Sequence, residues 1–402
     1  MKRILFVDDE TRILDGLRRM LRSMRNEWEM VFASSGEVAM AELAAAPFDV
    51  IVTDMRMPGM DGAALLQLAQ KKHPDVVRIV LSGYSEMEAA LRAVPVAHQF
   101  LSKPCSSDVV REVVDRACGL RELLTGAQLC HTIGGMTSLP SLPKAYSALA
   151  AALANPDTSV RDIATLVERD IGLSAKMLQL VNSSFFGLPH RVANVQSAIT
   201  YLGVTMVRNL ALSAEVFGAL QPKGSAALAD ALYEHATLAG GIARRLAPDK
   251  QQSEDAFMAG VLHDAGKLVL ASRLPDAFAA AMTVARDKHC PLHVAELELL
   301  GTTHAEVGAY LLGLWGLPYP IIEAVAHHHA PLRVKPMRFD VLGAVHVANV
   351  LALECAALRT GATCEAAAEL NVEYLRALGV EERLPGWREM AASVATAPGG
   401  GL

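Results

Sequence analysis

The chain has 402 residues, 52% of them hydrophobic and 20% charged, with a formal net charge of −6. That length holds roughly two or three domains with ample apolar core, and the dispersed charge announces neither a nucleic-acid surface nor attraction to an anionic membrane. The cysteines Cys105, Cys118, Cys130, Cys290, Cys355 and Cys364 show no CxxC spacing and read as reduced thiols of a cytoplasmic protein.

The first segment, KRILFVDDE, reads as a buried strand that stops at Asp8, Asp9 and Glu10, and it meets Asp8 too soon for a signal peptide. Strands and helices then alternate in five units, with helices expected over 11–24, 35–45, 63–72, 85–93 and from 106 onward. In DVIVTDMRMPGMDG the β-branched run Val50, Ile51 and Val52 suits a strand buried on both faces, and it ends in Asp54 before the turn chemistry of Met57, Pro58 and Gly59. Asp54 therefore falls at the carboxyl end of a central strand, where open α/β sheets keep their ligand crevice. Alone it could be a ligand, a nucleophile or a helix cap.

Three neighbours narrow the choice. Clustered carboxylates at Asp8 and Asp9 repel unless a cation joins them, and an all-oxygen set suits Mg²⁺. Ser82, in IVLSGYSE, offers a hydroxyl just past a strand. Lys103, in FLSKP, offers a positive charge, and Pro104 stops the strand. In this order the residues resemble the receiver domain of two-component response regulators over residues 1–120. The resemblance implies a flavodoxin-like fold with a five-stranded parallel sheet and Asp54 as phospho-acceptor for a histidine kinase. It also implies Mg²⁺ held by Asp8, Asp9, Asp54 and the carbonyl of Arg56. Ser82, Phe100 and Lys103 become switch residues: Ser82 moves toward the phosphoryl group, Phe100 rotates inward, and the re-shaped face is one through which phosphorylated receivers dimerise.

From Asp108 the pattern stays helical to Leu124, so 121–135 reads as a connector that Gly134 and Gly135 end. Pro140 and Pro143 mark a new start, after which strand signals vanish and the chain reads as all-α. The domain is expected over 136–350, followed over 351–402 by further helices and a disordered Pro/Gly tail. The apolar run 341–353 carries His346 and Asn349 and is too short to span a membrane. Residues 160–182 have the helix, tight turn and helix of a DNA-binding motif, but the second helix carries only Lys176 as a cation, so nucleic-acid binding is not expected.

LPSLP at 139–143, DIGLSAKMLQLVNSSFFG at 170–187 and AITYLG at 198–203 are together similar to the HDOD family, a branch of the HD metal-dependent phosphohydrolase superfamily generally regarded as signalling or interaction modules without catalysis. Histidines concentrate here, with His263 and Asp264 inside HDAGK. Imidazole with carboxylate suits Fe, Mn or Zn. The resemblance implies that His235, His263 and Asp264 bind one ion, with His304, His327 and His328 open to a second. Where the superfamily closes its site with Asp, this chain has Asn349, a neutral and poorer ligand. His346 lies three residues earlier on the same helical face and could substitute. The segment 327–340 lacks the Gly-Tyr-Pro of the relatives that hydrolyse cyclic di-GMP.

Two readings result. The first is a phosphorelay response regulator that switches a helical domain toward a protein partner and is not an enzyme. The second is a receiver-gated, metal-dependent phosphohydrolase acting on a nucleotide or phosphodiester.

Overall fold

Short apolar runs end in polar residues five times in the first third of the chain, and each becomes a strand: β1 (Lys2–Val7), β2 (Trp28–Ala33), β3 (Val50–Asp54), β4 (Val77–Gly83) and β5 (Gln99–Lys103). In the computed structural model they form one parallel sheet in the order β2-β1-β3-β4-β5. This is the expected flavodoxin-like sheet, and it sets the carboxyl ends of β1, β3, β4 and β5 along one edge, with β1 next to β3 and β4 between β3 and β5. Ile4, Leu5, Ile51 and Ile79 have no exposure, as strands covered on both faces require.

The structure describes residues 1–83, 93, 96–119, 133, 136, 148–149, 151–153, 155, 158–182, 191–204, 207, 226–335, 338–360 and 370–396. Two units emerge, one of Met1–Ser138, Gln179–Arg191 and Gly313–Gly316 and the other of Leu139–Leu178, Val192–Leu312 and Leu317–Leu402. In the first, α1 (Thr11–Met20), α2 (Gly36–Ala45), α3 (Gly62–Lys72) and α4 (Ser107–Gly119) accompany the sheet. Helix α1 is shorter than expected because a 3-10 turn takes over at Arg22–Asn26. The helix expected over 85–93, the connector over 121–135, the restart at Pro140 and Pro143 and the tail 397–402 lie outside the described residues, isolated positions apart.

Helix α3 starts where it does for two reasons. Asp61 caps it, accepting a hydrogen bond from the Ala64 amide at 2.8 Å. Gly62 then lets the helix touch the end of β3, since a Cβ there would lie 2.1 Å from the Asp54 carbonyl oxygen.

The second unit is helical in every described element longer than a turn: α5 (Val160–Glu168), α6 (Ile171–Val181), α7 (Val195–Leu202), α8 (Ala226–Leu246), α9 (Lys250–Leu262), α10 (Ala265–Arg273), α11 (Pro275–Asp287), α12 (Leu292–Leu300), α13 (His304–Leu314), α14 (Tyr319–His327), α15 (Val341–Thr360), α16 (Val372–Ala377) and α17 (Leu384–Thr396). Ser159 and Asp162 close a capping box on α5. Helix α6, the would-be recognition helix, is buried along its whole length, and Lys176 is 1% exposed, so it presents no cation to a DNA groove. Helix α15 corrects an expectation: the apolar run continues into a 20-residue helix, long enough by itself to cross a bilayer, but 72% of its apolar window is buried inside the fold. Among the described residues, Cys105, Cys118, Cys290 and Cys355 form no disulfide.

One buried acid makes this unit sensitive to pH. Glu168 is 8% exposed, and burial pushes its carboxyl up from 4.5 to about 7, against the pull of Arg244. The folded state then keeps the proton longer than the unfolded chain. Stability from this group is full below about 4.5 and is lost as pH rises through about 7, by up to about 2–3 kcal/mol. Glu168→Gln is expected to flatten that slope in denaturant titrations at pH 5 and pH 8; an unchanged slope contradicts this reading.

Candidate functional site

Two constellations are assembled, one in each unit. In the first, Asp8 is 2% and Asp54 6% exposed, and the Lys103 ammonium reaches both: it donates to Asp8 Oδ2 at 2.7 Å and to Asp54 Oδ1. Asp54 Oδ2 accepts from the Arg56 amide at 2.6 Å, while Asp8 Oδ1 accepts from the Glu10 amide at 2.9 Å. The carboxylates are thus aimed by backbone amides and joined by one cation. Burial pushes the Asp54 carboxyl above its ordinary range despite Lys103. Burial also works against the Lys103 charge, but the bonds to Asp54 and Asp8 outweigh it and raise that pKa.

Asp9 and the Arg56 side chain are exposed, and Ser82 is fully buried on β4. Phe100, on β5, is 3% exposed.

In the second unit the buried dyad sits at a junction. His263 follows the last residue of α9, and Asp264 occupies the N-cap position of α10 without making a capping bond, because its carboxylate is turned to the histidines. Gly266 makes the approach possible, since a Cβ there would lie 1.9 Å from the His304 carbonyl oxygen. Helix α13 can therefore bring His304 against Asp264.

Asp264 stands at the centre. Its Oδ2 lies 3.4 Å from His263 Nε2, 3.8 Å from His235 Nε2 and 2.6 Å from the Lys267 ammonium. Its Oδ1 lies 3.3 Å from His304 Nε2 and 4.0 Å from His328 Nε2. Burial opposes the charge on Asp264, yet the facing His263 and Lys267 hold its pKa well below the ordinary carboxylate range.

The three innermost imidazoles are anchored alike. Nδ1 of His263 meets the Gly260 carbonyl at 2.7 Å, Nδ1 of His328 meets the Val325 carbonyl at 2.8 Å, and Nδ1 of His304 meets Glu296 Oε2 at 2.6 Å. Each acceptor assigns a proton to Nδ1 and turns Nε2 toward Asp264, as imidazole ligands of metals are held. Burial pushes His235 down to about 4 and His328 well below its ordinary value, keeping both neutral. For His304, burial is outweighed by Glu296 and the pKa rises.

Two groups have ligand atoms within 4.8 Å of one another: His235, His263 and Asp264, and His304, His328 and His329. The first is as expected. The second differs, because His329 stands where His327 was expected. Helix α14 ends at His327, and the turn that follows carries His328 and His329 inward, with His329 Nε2 3.0 Å from His304 Nε2.

Asn349 Oδ1 lies 2.9 Å from His235 Nε2, so the amide borders the first ligand group. His346 is not available as a ligand. Its Nδ1 bonds the His328 carbonyl at 2.7 Å and its Nε2 accepts from the Asn371 amide at 3.0 Å, so it braces the turn that carries His328.

Sequence reasoning missed Glu296, Lys267, His293 and His329. Lys267 was visible three residues after Asp264, and His329 in the run of three histidines. Glu296 carries no motif, and its role appears only when α12 and α13 fold back on each other around Gly301. His293, one turn earlier on α12, stacks on His329 with ring centroids 4.1 Å apart.

Comparison with known proteins agrees with this division. The response regulator receiver domain family matches residues 4–115, and the HDOD domain family matches residues 139–331. Residues 4–115 are thus a response regulator receiver domain and residues 139–331 an HDOD domain. The chain joins the two.

An uncharacterized protein of Treponema pallidum is 30% identical over 205 residues, covering 50% of this chain and 40% of that protein. The hydrogenase transcriptional regulatory protein HoxA of Cupriavidus necator is 39% identical over 116 residues, 28% of this chain and 23% of HoxA. The chain therefore spans less than half the length of these relatives. The crystal structure of the MmoQ response regulator of Methylococcus capsulatus covers 64% of this chain and 98% of its own, at 22% identity and a TM-score of 0.47.

Proposed function

We propose that this chain is a response regulator that accepts a phosphoryl group on Asp54 from a sensor histidine kinase and that the aspartyl phosphate changes how the HDOD domain meets a protein partner. The observation that carries the reading is the Lys103 ammonium shared by Asp8 and Asp54 at the carboxyl end of the sheet. Asp54 supplies the attacking oxygen, and Lys103 supplies positive charge for the oxygens that arrive. The amide of Arg56 holds the other carboxylate oxygen of Asp54, fixing which oxygen faces the incoming group.

The donors around Asp54 are all oxygen, and two buried carboxylates share one lysine, so they fit a divalent cation. Asp8, Asp9, Asp54 and the Arg56 carbonyl would hold Mg²⁺, whose charge when bound neutralises the phosphoryl oxygens. Intact-mass measurement of the full chain with a small acyl phosphate is expected to show one phosphoryl group per molecule, dependent on Mg²⁺. Absence of uptake under those conditions overturns the reading. The cytoplasm is the matching compartment, since the kinase's phosphoryl donor is there.

A second reading is favoured by the histidine cluster. The buried atoms Asp264 Oδ1 and His328 Nε2 have no hydrogen-bond partner and point to one place, as a metal site without its ion would leave them. The donor set fits Fe, Mn or Zn: His235, His263 and Asp264 would hold one ion, and His304, His328 and His329 a second, with Asp264 between them. A bound ion would polarise a phosphoryl oxygen or acidify water. Lys267 keeps Asp264 ionised, and Glu296 holds the His304 ring in place. Asn349 removes a negative charge from this set, which favours a metal-bound signalling module over a nucleotide or phosphodiester hydrolase.

A further inference from the structure

A cavity of about 320 Å³ opens in the second unit, away from the histidine cluster. It is lined by Arg169 just past α5, by Tyr233, Glu234, Thr237 and Leu238 of α8, and by Arg359 in the last turn of α15. At about 100° per residue, these α8 positions cover a face of the helix turned some 130° from His235. Arg359 lies about 15 Å further along α15 than Asn349 at 1.5 Å rise per residue. This is a second, open pocket, with no residue in common with the metal-ligand sets.

Its chemistry is uneven. Among the described residues neither Arg169 nor Arg359 makes an ion pair, and both are exposed at the mouth. An arginine at each helix end complements the carbonyls there, which accounts for each one singly. It does not account for two guanidiniums bordering one cavity. The interior is apolar at Leu238 and Tyr233, which are 6% and 5% exposed, while Glu234 adds one acceptor at the rim and Thr237 one hydroxyl.

Two guanidiniums match a doubly charged, many-oxygened anion better than a single carboxylate. The carboxylate of Glu234 repels a bare anion but accepts from a hydroxyl, so the ligand should carry hydroxyl groups beyond its charged end. The cavity volume sits at the small end of ligand sites. We propose that this pocket binds a small hydroxyl-bearing phosphomonoester of sugar-phosphate type, its phosphate between Arg169 and Arg359 and its hydroxyls toward Glu234 and Thr237. The ligand would touch α8 and α15, the two helices that the His235–Asn349 contact joins, which makes the pocket an effector site for the HDOD domain.

Isothermal titration of the full chain with ribose 5-phosphate at low ionic strength is the test. Saturable one-site binding is expected, weakened about ten-fold by Arg169→Gln and by Arg359→Gln, the loss of one charged hydrogen-bonding partner each. Both changes are on exposed side chains and leave the fold intact. Asp264→Asn should retain saturable binding that still depends on both arginines, which separates this pocket from the histidine cluster. Absence of saturable binding overturns the proposal, as does equal affinity in both arginine variants. Loss in Asp264→Asn with retention in the arginine variants overturns it too, by placing the phosphate among the histidines.

Discussion

Asp264→Ala is expected to strip transition metal from the purified full-length protein, from about one ion or more per chain to background. Its position is the reason. Asp264 is the one carboxylate among the described residues that faces both histidine groups, with Oδ2 toward His263 and His235 and Oδ1 toward His304 and His328. Removing it leaves imidazoles and the Lys267 ammonium around the place where a cation would sit, with no carboxylate facing both groups, so charge balance turns from attraction to repulsion. Even outer-shell changes cost about 10–100-fold in metal affinity, and a direct ligand costs more. Lys267 keeps a partly exposed ammonium that can turn to water, so the variant should remain folded by circular dichroism. Wild-type protein that carries no metal would mean the cluster is a packed histidine core, and a variant that keeps its metal would remove Asp264 from the ligand set.

Lys103→Ala is expected to destabilise the receiver domain by about 2 kcal/mol at neutral pH, toward the low end for breaking a buried ion pair, because the lysine side chain is 26% exposed. The variant leaves Asp8 and Asp54 buried beside each other with no cation between them. Mg²⁺ then has more to offer the variant than the wild type, and its addition should raise the melting temperature of the variant more. Thermal unfolding with and without Mg²⁺ checks both parts. Equal melting temperatures in the two proteins, with equal Mg²⁺ shifts, would remove the lysine from the account.

How much of this was legible differs between the two sites. Asp8, Asp54 and Lys103 were readable because each ends a strand, and strand ends of a parallel sheet converge by topology alone. The histidine cluster was half readable. The dyad His263–Asp264 announced itself, but the choice between His327 and His329 depends on how the chain turns after α14, which no local spacing specifies. Glu296 was invisible because it acts only through the fold-back of α12 on α13. His346 looked like a ligand by helical spacing and is instead used at both nitrogens by backbone groups. Residues 160–182 had the outline of a DNA-binding motif; the single cation of its second helix, Lys176, already argued against that use, and the burial of α6 adds a reason that the sequence did not show.

The account as a whole stands on Asp54 speaking to the helical domain. Amide hydrogen exchange of the full chain, with and without acyl phosphate and Mg²⁺, tests this directly on α8, α13 and α15, with Asp54→Asn as the control. The account predicts changed protection in those helices of the wild type on phosphorylation and none in Asp54→Asn. Phosphorylated wild type whose helices exchange as before, or an Asp54→Asn chain that responds like the wild type, would contradict it.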